Sequence, residues 1–298
     1  MQQWTGVGGK RVVITGASGG IGLAAAQALA ARGALITIVA RSQARASAAA
    51  QRIEAGSAGG APVDVLTCDL SSQAALRALA AALLERYPRI DVLVNNAGAM
   101  YAKRQQSADG IELTWALNHL APFLLTTLLL ERLRECAPAR IVTTSSDAHR
   151  GARIPFDDLG GERIYAARGL GPLAAPGFRR YGQTKLANIL FTAELARRIE
   201  GSGVTANCLH PGFVATGFNR NNGPWSRVAM TLARPAARTP ARGARTLVWL
   251  VDSPACSDAN GGYFFDERPA EPSPQGRDGE SARRLWELSE AQVGARSA

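Results

Sequence analysis

Short apolar runs without polar alternation recur along the chain, and most are followed by a segment with helical periodicity. Such runs are typical of buried parallel strands joined by helical crossovers. The pattern predicts seven strands, at Arg11–Thr15, Leu35–Ala40, Val63–Thr67, Asp91–Val94, Arg140–Thr144, Val204–Leu209 and Tyr263–Phe265. We therefore expect an α/β fold in which one doubly wound, seven-stranded parallel sheet carries helices on both faces.

The same periodicity places the helices between these strands. They are predicted at Ile21–Arg32, Gln43–Glu54, Ser72–Arg86, within Gly110–Glu135, at Tyr181–Glu200 and at Arg242–Val251, with a terminal helix around Arg284–Leu288. Gly33 is a natural stop for the first helix, and Ser71 or Ser72 a natural N-cap for the third. The composition has no break before the proline-rich stretch 269–274, so we expect one domain over residues 1–298.

The composition is that of a soluble globular protein, with 46% hydrophobic residues. Its most apolar stretch, residues 113–130, is interrupted by Asn118, His119 and Pro122, so we expect no membrane span there. The N-terminus lacks the charged-then-apolar pattern of an export signal. The four cysteines are widely spaced and indicate neither disulfides nor a zinc site. These observations favour a cytoplasmic protein with reduced thiols and no membrane anchor.

The net charge of +10 raises the possibility of a nucleic-acid partner. The arginines are scattered, however, and the sequence has no run of four basic residues, no zinc-finger spacing and no aromatic RNA-binding cluster. We therefore expect no nucleic-acid partner. His119, His149 and His210 are separated by at least 30 residues and have no acidic cluster beside them, so we interpret all three as structural and expect no metal.

A glycine-rich loop, Gly16-Ala-Ser-Gly-Gly-Ile-Gly22, follows the first strand and opens the first helix. Glycines let the backbone turn tightly and approach a pyrophosphate, whose charge the helix N-terminus favours. The loop therefore predicts a dinucleotide site, with a tight turn that binds nothing as the alternative. The residues expected to contact the cofactor here are Gly16, Ser18, Gly19, Gly20, Ile21 and Gly22.

The end of the second strand bears on which dinucleotide is bound. An NAD site would place an acidic residue about 20 residues after the loop, but Arg41 stands there and the first carboxylate after the loop is Glu54. A guanidinium can grip a 2′-phosphate with two hydrogen bonds, and Arg45 lies one helical turn later. Arg41 therefore favours NADP(H), with NAD(H) possible, unless it is only a solvated strand end.

Tyr181 and Lys185 form the most informative pair in the sequence. Residues four apart lie on one face of a helix. An ammonium held there can lower the pKa of a phenol from about 10, which suits the tyrosine for proton transfer near neutral pH. The chain has only three lysines, and none of the other tyrosines has one four positions on. The pair predicts acid–base catalysis, with a coincidental surface pair as the alternative.

Taken in order, the motifs resemble those of the short-chain dehydrogenase/reductase family over nearly the whole chain. They are Thr15-Gly16-x-x-x-Gly20-x-Gly22, Asp69-Leu70, Asn95-Asn96-Ala97-Gly98, Asn118, Ser145-Ser146, Tyr181-x-x-x-Lys185 and Pro211-Gly212. Three longer stretches, 118–126, 185–191 and 282–289, are similar to the branch that includes retinol dehydrogenases and WW-domain-containing oxidoreductases. The resemblance implies a Rossmann domain in which residues 10–145 mainly bind cofactor, 146–265 carry catalysis and substrate binding, and 266–298 form an extension.

The resemblance also implies roles for individual residues. Tyr181 would be the acid/base, Lys185 would lower its pKa and bind the nicotinamide ribose, Ser146 would bind the substrate oxygen, and Asn118 would hold a relay water. Ser145 is the rival of Ser146, because neighbouring side chains of an extended segment face opposite ways. Further cofactor contacts are implied for Asp69, Leu70, Asn96, Ala97, Gly98, Pro211, Gly212, Val214 and Thr216. A purely structural turn remains the alternative for Asn95 and Asn96.

The sequence thus predicts an NADP(H)-dependent oxidoreductase that interconverts a carbonyl and an alcohol on a small to medium apolar substrate. A nucleotide-sensing protein without turnover is the alternative. Residues 147–180 and 213–239 are expected to form the substrate pocket, but they do not identify the molecule.

The two long helices, predicted within Gly110–Glu135 and at Tyr181–Glu200, carry more apolar positions than one core-facing stripe needs, which predicts a homodimer. These positions are Phe123, Leu124, Leu128, Leu129, Leu186, Ile189, Leu190 and Leu195. The alternative is a monomer in which the segment around Leu285 and Trp286 covers that surplus.

Overall fold

An eight-stranded sheet forms the centre of the computed structural model, in which residues 4–167, 175–214 and 237–294 are described. The strands are β1 Arg11–Thr15, β2 Leu35–Ala40, β3 Asp64–Thr67, β4 Val92–Asn95, β5 Ala139–Thr144, β6 Val204–Leu209, β7 Tyr263–Phe265 and β8 Arg268–Pro269. The first seven pair in parallel, as the sequence predicts. Two-residue β8 was not expected, and it pairs antiparallel to β7.

Helices lie on both faces of the sheet. They are α1 Gly20–Ala30, α2 Gln43–Glu54, α3 Gln73–Arg86, α4 Leu113–Trp115, α5 Ala121–Glu135, α6 Glu162–Ala166, α7 Pro176–Arg198, α8 Pro240–Asp252 and α9 Gly279–Val293, with a π-helical turn at Ala116–Leu120. Ser72 caps α3, since its hydroxyl accepts from Ala75 N. The long helix predicted within 110–135 is therefore two helices joined by a π-turn. Helix α7 begins five residues before its predicted start.

The strands are apolar throughout because each face of the sheet is covered by helices. One core packs α3, α5, α7 and α9 against the sheet, and the other packs α1, α2 and α8. Val12, Val13 and Ile14 of β1 are all fully buried, with consecutive residues contributing to opposite cores. The strands lack apolar–polar alternation in the sequence because both faces of the sheet are buried.

The strand order is β3-β2-β1-β4-β5-β6-β7-β8, so the direction of winding reverses between β1 and β4. In open parallel sheets of this kind, ligands bind in the crevice outside the carboxyl ends of the strands at such a reversal. The glycine-rich loop follows β1 and the Asn95–Gly98 segment follows β4. The topology therefore brings these two motifs to the same crevice.

Helix α9 covers the apolar surfaces from which we expected self-association. The Trp286 ring lies 4.9 Å from the ring of Phe123 in α5 and 5.9 Å from that of Phe191 in α7, centroid to centroid. Of the apolar residues that prompted the dimer prediction, Leu128 is half-buried and the others are buried within the chain. This arrangement is the covering alternative that the sequence left open, and it removes the reason for a dimer through these helices.

One helical stretch in the described part of the chain, Leu113–Glu135, is long and apolar enough to cross a membrane, but 72% of its most apolar window is buried in the protein. Its polar residues Asn118 and His119 are fully buried and hydrogen-bonded to other segments. The stretch therefore has the environment of a core helix in this structure.

Candidate active site

The glycine-rich loop is shaped by close contact with the segment after β4. Gly16 has a φ of +72°, and a Cβ there would lie 2.8 Å from Ala97 Cα. A Cβ on Gly22 would lie 2.6 Å from Asn96 Nδ2. Side chains at these two positions would force the loop away from β4 and distort the turn. Gly16 and Gly22 are therefore explained by the fold as well as by a ligand.

The N-terminus of α1 has the features of an anion site. Among the described residues, no side chain caps the helix at Gly19, and its first turn contains no acidic residue. The unpaired N–H groups of such a terminus, together with the helix dipole, favour a negatively charged ligand. Arg45 adds positive charge, because its guanidinium lies 3.9 Å from the position that a Cβ of Gly19 would occupy. These residues fit the pyrophosphate of a dinucleotide.

Arg41 and Asp69 stand at the carboxyl ends of β2 and β3, and both are exposed. Burial raises the pKa of Tyr101, whereas the neighbouring Arg41 guanidinium acts in the opposite direction. Arg41 therefore lies beside the segment that follows Gly98. Asp69 accepts hydrogen bonds from the backbone N and the hydroxyl of Ser71, at 3.0 and 2.7 Å.

The Asn95–Gly98 segment is bound to its neighbours within the fold. Asn96 donates through Nδ2 to Thr15 O (3.0 Å), and Ala97 N donates to Thr15 Oγ1 (3.1 Å). Asn95 donates to a threonine hydroxyl of α5. The structural role that the sequence left as an alternative is thus real for both asparagines. Leu70 and Ala97 line one small cavity together with apolar residues at the start of α5.

The two serines after β5 face opposite ways, as an extended backbone requires. Ser145 is buried and donates its hydroxyl to Lys185 O at 2.8 Å. Ser146 is partly exposed, and its hydroxyl is near enough to Tyr181 to act on the phenol and lower its pKa, against the larger effect of burial. The geometry therefore assigns Ser145 to the helix backbone and directs Ser146 toward the tyrosine.

Tyr181 and Lys185 lie on one face of α7, with Lys185 Nζ 5.5 Å from the centroid of the phenol ring. The sequence predicts that Lys185 lowers the pKa of Tyr181, but here burial dominates and raises that pKa to about 12, while the nearby Ser146 hydroxyl acts to lower it. Burial also lowers the pKa of Lys185 to about 8. The Lys185 ammonium donates a hydrogen bond to Thr144 O at 2.9 Å and not to the phenol oxygen of Tyr181. Tyr181 is therefore a protonated phenol at neutral pH.

Asn118 sits within the π-helical turn, a distortion that is frequent at functional sites. Its side chain accepts from Ala99 N at 2.9 Å and donates to Ala99 O at 2.8 Å and to Thr184 Oγ1 at 3.1 Å. A Cβ on Gly98 would lie 3.2 Å from Asn118 Oδ1 and 3.5 Å from Lys185 Nζ. Gly98 thus allows the amide and the ammonium to converge.

The segment after β6 reaches the glycine-rich loop from the other side. Gly212 has a φ of +77°, and Pro211 precedes it. Val214 packs closely on Gly243 of α8. A Cβ on Gly243 would lie 2.6 Å from Val214 Cγ2 and 3.4 Å from Ile21 Cγ1. Val214 therefore lies near the start of α1. Thr216, also predicted to contact the cofactor, lies outside the described residues.

A buried ion pair that the sequence does not predict lies beside the site. Arg180 Nε lies 2.8 Å from Glu112 Oε2, and both side chains are fully buried. Glu112 also accepts from the backbone N–H groups of Thr114 and Trp115. The pair links the residue before Tyr181 to the helix that leads into the Asn118 turn. The two partners are 68 residues apart, so no local pattern could have found them.

The histidines are buried, as a structural role predicts. His119 accepts or donates at Ser289 Oγ (2.8 Å), and burial lowers its pKa to about 3. His149 lies beside Ser146, with its Nδ1 2.7 Å from Ser146 O. The part of the chain that the structure describes contains no cluster of three or more histidine, cysteine, aspartate or glutamate side chains that could hold a metal.

Comparisons with known proteins agree with this arrangement. The sequence profile of the short chain dehydrogenase family matches residues 10–156. Retinol dehydrogenase 14 of Mus musculus is 41% identical over 96% of this chain and 86% of its own length. Retinol dehydrogenase 11 of Homo sapiens is 41% identical over 94% and 85%.

Solved structures add the same relationship in three dimensions. A short chain dehydrogenase from Burkholderia cenocepacia in complex with NADP superposes with a TM-score of 0.67 at 28% identity, covering 87% of this chain and 96% of that one. The RhlG/NADP active-site complex of Pseudomonas aeruginosa gives 0.68 at 27% identity, covering 89% and 97%. The chain thus belongs to the short-chain dehydrogenase family, in which it is retinol-dehydrogenase-like and an oxidoreductase of alcohol and carbonyl groups.

Proposed function

We propose that the protein interconverts a carbonyl and an alcohol on a small to medium apolar substrate, with NADP(H) as cofactor. The observation that carries this proposal is the convergence of three side chains: burial raises the pKa of the Tyr181 phenol, the Ser146 hydroxyl acts to lower it, and Lys185 Nζ lies 5.5 Å from the centroid of that phenol ring. These groups lie at the carboxyl edge of the sheet, beside the segment that ends at Gly98. Two hydroxyls beside a nucleotide crevice suit the transfer of a proton to a carbonyl oxygen.

The side chains divide the reaction between them. When bound in the crevice, NADPH would supply the hydride for the carbonyl carbon. Tyr181 donates its phenolic proton to the carbonyl oxygen, and its pKa of about 12 keeps that proton available at neutral pH. Ser146 donates a hydrogen bond to the same oxygen as negative charge develops on it. Lys185, whose pKa is about 8, is mostly charged at neutral pH and adds a positive field.

The choice of NADP(H) is supported by the basic residues around the adenosine end of the crevice. Arg41 stands exposed after β2, where an acidic residue would bind a ribose 2′-hydroxyl. Arg45 extends toward Gly19. A guanidinium at Arg41 attracts a 2′-phosphate that a carboxylate would repel. The solved complexes with NADP in the family accord with this preference.

An apolar substrate is supported by the kinship with retinol dehydrogenases. Phe213, 52% accessible, stands between Gly212 and the buried Val214. It belongs to the segment 213–239 that the sequence assigns to the substrate pocket, where an exposed aromatic offers apolar contact surface. The proposal extends to the class of substrate and not to a particular aldehyde or ketone.

Replacement of Tyr181 by phenylalanine tests the proposal. We expect kcat for NADPH-dependent reduction of an aldehyde panel to fall about 10²–10⁴-fold, because the proton donor is lost. NADPH binding, followed by fluorescence titration, should change little. Tyr87→Phe, which makes the same change at a buried hydroxyl without a hydrogen-bond partner among the described residues, is the control. A Tyr181→Phe enzyme with near-wild-type kcat would rule out the assigned role, and a wild type inactive on the whole panel would rule out the substrate class.

A further inference from the structure

His149 is a fully buried residue three positions after Ser146, with both ring nitrogens in contact with backbone atoms. Its Nδ1 lies 2.7 Å from Ser146 O, and its Nε2 accepts a hydrogen bond from Ser273 N at 3.0 Å. The Tyr263 ring packs against it at 5.2 Å in a T-shaped arrangement. A histidine held at both nitrogens cannot rotate without breaking two hydrogen bonds.

These contacts determine which nitrogen carries the proton. A backbone N–H can only donate, so Nε2 must be an unprotonated acceptor. A carbonyl oxygen can only accept, so Nδ1 must carry the hydrogen and donate to Ser146 O. The ring is therefore neutral, and burial lowers the pKa of His149, which favours the same state.

The carbonyl of Ser146 is thereby held by two donors of one residue. The backbone N of His149 also donates to Ser146 O, at 3.2 Å. The Ser146 hydroxyl accepts from Ala148 N at 3.2 Å within the same turn. A Cβ on Gly182, the residue after Tyr181, would lie 2.5 Å from Ala148 O, so this turn rests directly on α7. The direction of the Ser146 side chain relative to Tyr181 depends on this turn.

The other side of His149 belongs to the C-terminal extension. Ser273 is 5% exposed, and its neighbour Glu271 accepts a hydrogen bond from Arg150 through its backbone O, at 3.0 Å. Gly276 packs on Ile189 of α7, with a hypothetical Cβ 3.3 Å from Ile189 Cγ2. The extension is thus fixed both to α7 and to the turn that begins at Ser146.

We propose that His149 is a positioning residue for Ser146, and that the backbone N–H of Ser273 fixes the tautomer in which it acts. The C-terminal extension then contributes to catalysis without contacting the substrate. This inference rests on the proposed function, in which Ser146 binds the substrate oxygen. The tautomer of His149 can be tested separately from that function, because it depends only on which ring nitrogen carries the proton.

Steady-state kinetics of carbonyl reduction test the positioning role. His149→Ala should lower kcat about 10-fold with little change in the KM for NADPH, since misplacement by about 1 Å can cost up to 10²-fold. His149→Asn should recover part of this loss, because its amide can still donate to Ser146 O. In a Ser146→Ala background, His149→Ala should have almost no further effect on kcat.

Ser273 offers a matched pair of variants. Its φ of −59° already suits proline, so Ser273→Pro replaces the N–H with a ring carbon that cannot donate and that displaces His149 Nε2. Its hydroxyl has no hydrogen-bond partner among the described residues, so Ser273→Ala should behave as wild type. We expect Ser273→Pro to lower kcat several-fold while the thermal midpoint confirms that it is folded. Equal kcat in Ser273→Pro and wild type would overturn the part assigned to Ser273.

The tautomer can be observed without any turnover. Long-range ¹H–¹⁵N correlation of the three histidines should show one ring, absent in His149→Asn, with its proton on Nδ1. A proton on Nε2 would overturn the inference, as would a His149→Ala loss that is undiminished in the Ser146→Ala background. A wild type without carbonyl reductase activity would instead contradict the proposed function and leave the tautomer measurement to decide this inference.

Discussion

At the scale of single residues, the site places Tyr181 and Lys185 where burial disfavours the charged form of each side chain. Lys185 is 3% exposed, and within the described part of the chain its ammonium has one hydrogen bond, to Thr144 O. Burial of a charge without an opposite charge beside it is costly, which is why the pKa of Lys185 is lowered from 10.5 to about 8. The site therefore reduces the stability of the fold that contains it.

Replacement of Lys185 by methionine is expected to stabilise the protein while abolishing turnover. Below pH 8 the folded wild type carries the buried charge, so the variant should gain roughly 1–3 kcal/mol in the free energy of unfolding. Between about pH 8 and 10.5 the wild-type lysine is neutral when folded, and the gain should shrink. Urea denaturation at pH 7 and pH 10 measures this. A variant less stable than wild type at pH 7 would contradict the argument.

Arg41→Asp is expected to shift the cofactor preference toward NADH. The new carboxylate would repel a 2′-phosphate and accept hydrogen bonds from a ribose hydroxyl. Titration of each reduced cofactor, followed by fluorescence, should show NADPH binding weakened at least tenfold relative to NADH. Arg52→Asp makes the same change of charge farther along α2 and is the control. Tighter binding of NADH than NADPH by the wild type would refute the role of Arg41.

At the scale of elements, the buried Glu112–Arg180 pair joins the start of α4, which leads into the π-turn, to the start of α7. Arg180 also lies over the Trp115 ring at 4.8 Å and donates to Gln183 Oε1 and Leu159 O. Both charges keep several partners, which is the condition under which a buried ion pair is tolerated. The pair connects the element that carries Asn118 to the element that carries Tyr181.

Removal of one partner of this pair should be costly. Arg180→Met and Glu112→Gln should each lower the free energy of unfolding by about 3–5 kcal/mol, because each leaves the other partner's charge buried without its counter-charge. The double variant should lose at least about 1 kcal/mol less than the two single losses together. Glu131→Gln, which removes the exposed pair with Arg134, should cost less than about 1 kcal/mol. Additive losses in denaturant unfolding would show that the two side chains act independently.

Much of this architecture follows from the sequence, because its causes are local. Unalternating apolar runs gave all seven parallel strands to within one residue at each end, and Ser72 caps α3 as its position suggests. The π-turn, the Glu112–Arg180 pair and the His149–Ser273 bond depend on contacts between distant segments. The raised pKa of Tyr181 could not be predicted either, since spacing shows which charge is near but not how deeply the phenol is buried.

At the scale of the whole molecule, the C-terminal extension completes both the core and the surroundings of the site. Helix α9 packs across α5 and α7 through Leu285 and Trp286. Its Ser289 reaches His119 in the π-turn. The apolar faces of the two long helices are therefore internal surfaces of one chain.

Deletion of residues 270–298 is expected to expose these faces and cause association. Light scattering at micromolar concentration should give a mass near 31.4 kDa for the full chain and larger species for the truncated one. Deletion of residues 295–298 alone leaves α9 whole and is the control. Twice this mass for the full chain would contradict the expected monomer, and because α9 covers the two long helices it would indicate that two copies pair through another surface.

The covering of α7 by α9 also has a consequence for biosynthesis. Arg198 ends α7 and Gly279 begins α9, so the ribosome adds roughly 80 residues between them. At about 5–20 residues per second, this takes on the order of 4 to 16 s. Throughout that interval the nascent chain presents Phe123 and Phe191 without their cover. The bare face is then a ready target for chaperones, and conditions that slow translation of this stretch should lower the soluble yield.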